Sequence, residues 1–435
     1  MAAGAALLLG GSMANDPSSE QASAVWTVRG IEPDELPDLA AVVGEALLSS
    51  GDPREWADRF RPMAEAAGYD RFLVAVGGDR IVGTAGSFDF EMAMPGGPRP
   101  VAGVTVVGVW PTCRRRGVLT AMMRHQLRDL HRRGEPLAAL WASEGGIYGR
   151  FGYGAASVET GLTVPHSAAV LRPDAPRDPA LRVFLGDPGE VREEIARVFD
   201  AAVAERPGRY RRDGRWWDRV LDDRPETRGG FGPLRAVVVS GGGGPRGYAL
   251  YRIKGEPSLT GWESELRVQE LVAADPAARV ALYEHVFARD LVARIIFEHT
   301  AVDDPLWSLL ADRQRIHAAP GTALWVRLVD VPAALAERSY AAPVDTVVEV
   351  ADRHAPWNAG RWHLRADGGG ASVEATGAAP DLVLDASHLG AAFLGQHTLA
   401  AHVAAGLVDE RTPGAAVSLD TALRVPHAPL CGTIF

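Results

Sequence analysis

The stretch VTVVGVWPTCRRRGVLTAMMRHQLRDLHRRGEPLAALWASEGGIYGRFGY, Val104–Tyr153, decides the fold. It opens with a β-branched run of strand length that ends at Val109. Apolar residues then recur at helical spacing as far as Gly134, and Leu137–Ala142 is a further apolar run of strand length. The stretch therefore predicts a strand, a tight basic turn, an amphipathic helix and a second strand.

The basic turn consists of Arg114, Arg115, Arg116 and Gly117. It opens a helix, whose N-terminus presents unpaired N–H groups and the positive end of the helix dipole. Gly117 lets an anion approach the backbone, and the arginines add fork-shaped donors. Three arginines before a helix are as often a solvated charge cluster. Because this cluster directly follows a strand of buried type, a phosphate site is favoured, with a pyrophosphate as its natural ligand.

Two motifs in the stretch resemble those of known enzymes. V-x-V-x-P-x-x-R-R-R-G, Val107–Gly117, followed by a helix, resembles the acetyl-CoA signature of the GNAT acetyltransferases. The run ASEGGIYGRFGYG, Ala142–Gly154, resembles the Eis (enhanced intracellular survival) family of aminoglycoside and lysine N-acetyltransferases. The match is dense over Val101–Gly154 and rests on organisation elsewhere.

The resemblance implies acetyl-CoA as co-substrate and assigns residues to it. Backbone N–H groups in the strand would face the acetyl carbonyl and pantetheine, and the turn with the helix start would hold the pyrophosphate. The residues so assigned are Val107, Gly108, Val109, Arg114, Arg115, Arg116, Gly117, Val118, Leu119, Thr120, Ser143 and Glu144.

The resemblance also implies a catalytic pair. Tyr148 matches the family tyrosine that donates a proton to the CoA sulfur, although a buried core tyrosine is the commoner fate of this residue type. Tyr153 is a nearby rival that we interpret as structural. The base would be the C-terminal carboxylate of Phe435, where the default is a frayed terminus. Family tails carry an acidic residue beside the terminal aromatic, and Gly432–Phe435 lacks one, which leaves the amine affinity and substrate range open.

Composition limits the class of protein. The chain has 435 residues and a net charge of −10, which argues against general nucleic-acid binding and suits a cationic small molecule or basic peptide. Its two cysteines, Cys113 and Cys431, suggest neither a disulfide framework nor a metal site, and a reducing cytoplasm fits. We expect no membrane partner, because the apolar run Ala2–Leu9 is too short to span a membrane. Residues 1–22 are expected to be a disordered leader, with Met13 as a candidate initiator.

The order of predicted elements suggests an α+β protein with three domains. Residues 23–165 would be a catalytic GNAT domain of α/β type, ending in the strand Ser157–Val164, and residues 166–323 a degenerate second copy that starts with a linker, Pro165–Pro179. In the second copy Asp275 replaces the basic turn and would repel a phosphate. Its glycine run, Gly241–Gly247, is interpreted as a hairpin loop, because it lacks the ending of a phosphate loop.

From Leu324 the pattern changes to short strands and short helices, which suggests a separate α+β domain at residues 324–435. This part resembles the sterol-carrier-protein-like domain that closes Eis-family chains. Its last residues, Thr421–Phe435, are expected to be extended.

Two features of the first domain bear on the substrate. Glu91–Pro100 is expected to be a loop, because it is rich in Pro and Gly. Four acids and four aromatics of the first domain are candidates for lining a substrate pocket. The alternative for the acids is a solvated surface position, and the alternative for the aromatics is the hydrophobic core. These groups are Glu45, Asp52, Glu55 and Asp58, and Trp56, Phe60, Phe88 and Phe90.

The function expected is acetyl-CoA-dependent N-acetylation of primary amines of polycations, either aminoglycosides or lysine side chains, by direct transfer without a metal. Cys113 should then be dispensable. The resemblance further implies a homohexamer and, for an aminoglycoside substrate, antibiotic resistance. The alternative is a CoA- or lipid-binding regulatory or carrier protein that uses the C-terminal domain.

Overall fold

The computed structural model describes residues 26–49, 51–259 and 261–435. The expected leader, 1–22, lies outside the described residues. The described part of the chain forms two seven-stranded sheets, a five-stranded sheet and a small two-stranded ribbon.

The first sheet has the strand order β1-β2-β3-β4-β5-β16-β6. Alternate residues of β2 face opposite layers: Phe72 and Val74 pack with the first two helices, and Ala75 packs with the third. Its elements are β1 (Thr27–Gly30), α1 (Leu36–Ala46), α2 (Pro53–Ala67), β2 (Phe72–Gly77), β3 (Arg80–Met94), β4 (Gly97–Val109), α3 (Val118–Arg132), β5 (Leu137–Trp141), α4 (Gly145–Tyr148), β6 (Gly154–Ala155) and β16 (Leu324–Leu328). The strand–turn–helix–strand unit predicted from the sequence is therefore present.

The segment Glu91–Pro100 is a hairpin, and its prediction as a loop was wrong. β3 continues to Met94, and β4 starts at Gly97 and pairs back along it. Prolines are tolerated here because β4 meets β5 only from Ala102 onward, so the first half of β4 is open on that side.

Each of the first two sheets contains a strand that we expected elsewhere. The strand expected to end the first domain, β7 (Val158–Pro165), pairs with strands of the second sheet. The strand expected to open the C-terminal domain, β16, inserts between β5 and β6 of the first sheet. The sheets therefore cross the expected boundaries at 165 and 323, because an apolar run predicts a strand but not its partner.

The second sheet has the order β15-β7-β14-β13-β10-β9-β8. Its glycine run is the turn of a hairpin, as predicted. The expected linker packs on this sheet, since Leu171 is buried and bridges to Leu310. Its further elements, with the ribbon β11–β12, are β8 (Arg182–Gly186), α5 (Arg192–Ala202), α6 (Gly214–Val220), β9 (Arg235–Gly241), β10 (Gly244–Lys254), β11 (Pro257–Ser258), β12 (Gly261–Trp262), β13 (Ser264–Ala273), α7 (Pro276–Phe287), β14 (Val292–Ala301), α8 (Leu306–Leu309) and β15 (His317–Thr322).

The third sheet has the order β19-β18-β17-β20-β21. Part of the expected extended tail is helical, because Ala416, Leu419, Ala422 and Leu423 recur at helical spacing and are buried. The elements are α9 (Val331–Ala336), β17 (Val344–Ala351), β18 (Gly360–Asp367), β19 (Gly370–Ala375), β20 (Leu382–Asp385), α10 (Ala386–Ala392), α11 (Leu399–Ala404), β21 (Asp409–Glu410) and α12 (Ala415–Leu423). Within the described ranges, no helix has both the length and the apolar character needed to cross a membrane.

Candidate active site

The central strand β4 carries a bulge where it leaves its neighbour. β4 and β5 pair through Ala102–Val104, and beyond this point the β3–β4 register shifts. Val106 adopts a φ of +48°, which is unusual for a β-branched residue, and its carbonyl accepts a hydrogen bond from the Thr84 hydroxyl at 2.7 Å. The bulge directs the backbone of Val107–Val109 to the wall of a cleft between the diverging strands.

The basic turn after β4 shapes the start of α3. Arg115 and Gly117 both have left-handed φ values, +62° and +88°, and Trp26 Nε1 donates to the Arg116 carbonyl at 3.2 Å. Among the described residues no side chain caps α3, and its first intrahelical bond runs from the Ala121 N–H to the Gly117 carbonyl at 3.0 Å. The N–H groups of Val118–Thr120 are therefore available to an anion.

The equivalent helix of the second sheet starts differently. The Asp275 carboxylate caps α7 by accepting the Ala278 N–H at 2.9 Å, and it also accepts a hydrogen bond from Arg246 Nε at 2.7 Å. A side chain of the protein thus already fills the place where an external anion would bind. A phosphate site requires backbone N–H groups that are open to an anion, and the start of α3 meets this requirement better than the capped start of α7.

The cleft beside α3 has a volume of about 500 Å³ and brings together nearly all the residues assigned to the cofactor. Arg116 is the exception: it does not line the cleft, and its carbonyl is held by Trp26. The lining residues are Ala46, Leu47, Val107, Gly108, Val109, Cys113, Arg114, Arg115, Gly117, Val118, Leu119, Thr120, Ser143, Glu144, Ile147, Tyr148 and Arg150. The sequence analysis did not assign Ala46 and Leu47, at the end of α1, to the cleft, because they are distant in the chain from the two motifs. It also did not assign Arg150, although Arg150 lies within the second motif.

Tyr148 lies on α4 and lines the cleft. Burial, with a smaller contribution from the charge of Glu144, raises the pKa of Tyr148 to about 12. The phenol therefore keeps its proton at neutral pH. Tyr153 is fully buried outside the cleft, and its hydroxyl has no hydrogen-bond partner among the described residues.

Phe435 does not line the cleft. Its buried ring packs against Phe90, at a centroid distance of 4.9 Å, and against Tyr210, and it lies beside Gly103 of β4. Gly103 precedes Val107 by four residues, and the bulge at Val106 lies between them. Phe435 therefore packs beside the same central strand that lines the cleft, but at a position nearer the N-terminal end of that strand.

Two adjoining grooves, of about 350 and 340 Å³, are lined by α2, β3 and the segment 211–224, and they share Met63 and Arg215. The aromatics whose role the sequence left open are mostly buried, and they also form the floor of these grooves together with Trp216. The acids singled out from the sequence, Glu45, Asp52, Glu55 and Asp58, are exposed and line neither groove. The acids that do were missed: Asp89, Glu91, Asp213, Asp218 and Asp222.

The described part of the chain contains no group of three or more His, Cys, Asp or Glu side chains that could hold a metal ion.

Comparison with family models agrees with this architecture. Models described as an acetyltransferase (GNAT) domain match residues 27–156 and residues 208–328. A model described as a sterol carrier protein domain matches residues 331–432. The predicted fold class, two GNAT-like domains followed by a sterol-carrier-protein-like domain, is thereby confirmed.

Individual relatives cover most of the chain. An uncharacterized N-acetyltransferase of Streptomyces avermitilis is 43% identical over 83% of this chain and 88% of its own length. The N-acetyltransferase Eis of Mycobacterium bovis is 38% identical over 74% of this chain and 79% of its own length. The crystal structure of Eis1 from Mycobacterium abscessus matches 94% of this chain and 100% of its own, with a TM-score of 0.79 and 30% identity. The chain therefore belongs to the Eis family of GNAT acetyltransferases, and it is an N-acetyltransferase with acetyl-CoA as its co-substrate.

Proposed function

We propose that the protein acetylates primary amines of polycationic small molecules, aminoglycosides among them, or lysine side chains, by direct transfer from acetyl-CoA. The observation that carries this proposal is the content of one cleft. A bulged strand with free backbone, an uncapped helix start and a protonated tyrosine all line it.

The residues fit the co-substrate. The unpaired N–H groups of Val118–Thr120 and the guanidinium groups of Arg114 and Arg115 suit a pyrophosphate. The backbone of Val107–Val109 would donate to the acetyl oxygen and pantetheine. Acetyl-CoA, when bound, supplies a thioester whose C–S bond breaks as the new C–N bond forms. Tyr148 would deliver its proton to the departing sulfur and regain one from solvent.

The amine must lose a proton before it attacks, and we propose the Phe435 carboxylate as the group that favours this loss. A terminal carboxyl has a pKa of about 3.5, so it acts on an ammonium mainly through its charge or through a water molecule. The support is positional: the ring of Phe435 is docked on Phe90 beside β4 instead of being frayed.

The grooves next to Phe435 are lined by five acids and six arginines, so only an acid that no arginine neutralises is open to a cationic substrate. Among their acids, Glu91, Asp213, Asp218 and Asp222 each lie within ion-pair distance of an arginine. Asp89 is exposed and forms no ion pair within the described residues. We therefore propose that an amine enters over the aromatic floor and meets Asp89 first. Antibiotic resistance, a homohexamer and a cytoplasmic location stay predictions.

The cavity on the third sheet does not favour the carrier alternative. It has a volume of about 810 Å³ and is lined in good part by polar and charged residues, among them Asp345, Arg365 and Asp367. An apolar ligand would gain little there.

The experiment that tests the proposed function follows the release of CoA thiol with an aminoglycoside and with a lysine-bearing peptide. The full-length protein, a variant lacking Phe435 and a C-terminally tagged variant are compared. We expect turnover by the first and at least a tenfold loss in the other two. Equal turnover by all three would exclude the terminal carboxylate, and no turnover with either amine would exclude the substrate class.

A further inference from the structure

The C-terminal tail, residues 428–435, makes hydrogen bonds and packing contacts along most of its length. The Ala428 N–H donates to Asp303 at 3.0 Å, and the Leu430 N–H donates to the Pro207 carbonyl at 2.9 Å. The ring of Phe435 then packs in T-shaped contacts against both rings of the stacked pair Phe90 and Tyr210. A tail with no function in the chain's last residues is ordinarily free to fray, so this attachment calls for an explanation.

One buried carboxylate holds the middle of the tail. Glu159, on β7, accepts hydrogen bonds from two consecutive N–H groups, those of Cys431 at 2.8 Å and Gly432 at 3.1 Å, through the same oxygen. Its other oxygen lies 3.1 Å from Nδ1 of His299. Hydrogen bonds to a charged acceptor are about twice as strong as neutral ones, so Glu159 is the strongest single anchor of these residues.

One buried guanidinium, that of Arg212, binds the next residue of the tail, Thr433. Arg212 donates to the Thr433 hydroxyl at 2.7 Å, while a bidentate pair with Glu270, at 3.0 and 2.5 Å, fixes its own orientation. Its guanidinium also lies 3.9 Å from the ring centroid of Phe199. Arg212 therefore has little freedom to follow a tail that moves.

We propose that Glu159 and Arg212 are positioning residues for acetyl transfer. They fix Cys431–Thr433, and thereby hold the terminal carboxylate two residues later at a constant place. This inference rests on the proposed function of the Phe435 carboxylate. Glu159 lies on β7 of the second sheet, so this anchor and the central strand β4 approach the tail from different sheets. A misplacement of about 1 Å in a reacting group can cost on the order of 10²-fold in rate.

The test uses the full-length protein with Glu159→Ala, Glu159→Gln and Thr433→Val. Glu298→Ala is the matched control, because Glu298 lies on the neighbouring strand β14 and pairs with Arg267 instead of the tail. We expect kcat to fall at least tenfold in Glu159→Ala and severalfold in Thr433→Val, with the KM for acetyl-CoA unchanged. Glu159→Gln should regain much of the rate, because its amide oxygen can still accept both N–H groups.

A second readout reports the tail itself. Carboxypeptidase A should release Phe435 faster from Glu159→Ala than from the wild-type protein or from Glu298→Ala. Unchanged kcat in Glu159→Ala and Thr433→Val, while deletion of Phe435 abolishes transfer, would overturn the positioning role and leave the proposed function standing. Unchanged transfer after deletion of Phe435 would overturn both. If Glu159→Ala does not fold, Thr433→Val decides, since it only replaces a hydroxyl with a methyl group.

Discussion

The Thr84 hydroxyl donates to the Val106 carbonyl at 2.7 Å, and this bond marks the point where the central strand parts from its neighbour. Both residues are buried. The bond offsets part of the cost of the left-handed conformation at Val106, which is about 1–3 kcal/mol for a strained residue. The bulge is therefore a built feature, and it brings the backbone of Val107–Val109 to the cleft.

Thr84→Val should damage both the fold and the cleft. It leaves the Val106 carbonyl buried without this donor, which costs about 1–3 kcal/mol in the free energy of unfolding. Because the bulge then relaxes, acetyl-CoA should bind less tightly. Denaturant unfolding and calorimetric titration measure the two effects. Thr84→Ser keeps the donor and should retain the affinity; the account of the bulge is wrong if the two variants bind alike.

Tyr148→Phe should lower kcat by about 10²–10⁴-fold, because the thiolate then leaves without a positioned proton donor. The affinity for acetyl-CoA should not change. Since the pKa of Tyr148 is raised to about 12, the donor stays protonated, and the wild-type rate should show no alkaline loss from this group below about pH 11. Tyr153→Phe is the control: that hydroxyl lies outside the cleft, and full activity is expected. An equal loss in both variants would point to packing, not acid catalysis.

The pair of Glu159 and His299 predicts a pH-dependent stability. The hydrogen bond that the Glu159 carboxylate accepts from the ring of His299 raises the pKa of His299 above its usual value of about 6.5. The stabilisation from this pair is therefore full below about pH 6.5 and is lost as the pH rises through the higher pKa of the folded state. His299→Gln should destabilise the protein more at about pH 5.5 than at about pH 8.5 in urea unfolding. A difference that is equal at both pH values would contradict this assignment, and the exposed His317→Gln serves as control.

Local patterns explain which features the sequence predicts. The strand, the turn and the helix Val118–Arg132 follow from β-branched residues, apolar periodicity and terminating glycines, all within reach of one another. The position of β16 between β5 and β6 cannot be predicted from such local patterns, because strand pairing is decided by contacts between distant residues. The hairpin at Glu91–Pro100 was missed for a related reason: proline is excluded only where the strand has neighbours on both sides.

The candidate site shows the same difference between features that follow from local sequence and features that depend on distant residues. Tyr148 and the helix start lie in two motifs of one stretch, Val104–Tyr153, and were predicted from it together. The acids of the grooves come from β3, from α6 and from the residues that flank α6, and they converge only in the fold. The acids chosen by proximity in sequence, such as Asp52, serve other ends: Asp52 caps α2 by accepting the Arg54 N–H.

The central claim is that the start of α3 grips the diphosphate of acetyl-CoA. Gly117 and Gly134 allow a matched comparison, because both have left-handed φ values, +88° and +72°, at opposite ends of the same helix, and a Cβ at either would meet open space. Alanine at either position should cost about 1–2 kcal/mol in the free energy of unfolding.

The most direct measurement is calorimetric titration of the wild-type protein, Gly117→Ala and Gly134→Ala with acetyl-CoA. We expect affinity to fall at least tenfold in Gly117→Ala, because the turn and its free N–H groups are displaced, and to be kept in Gly134→Ala. Equal affinity in all three proteins, or no saturable binding by the wild type, would contradict the account.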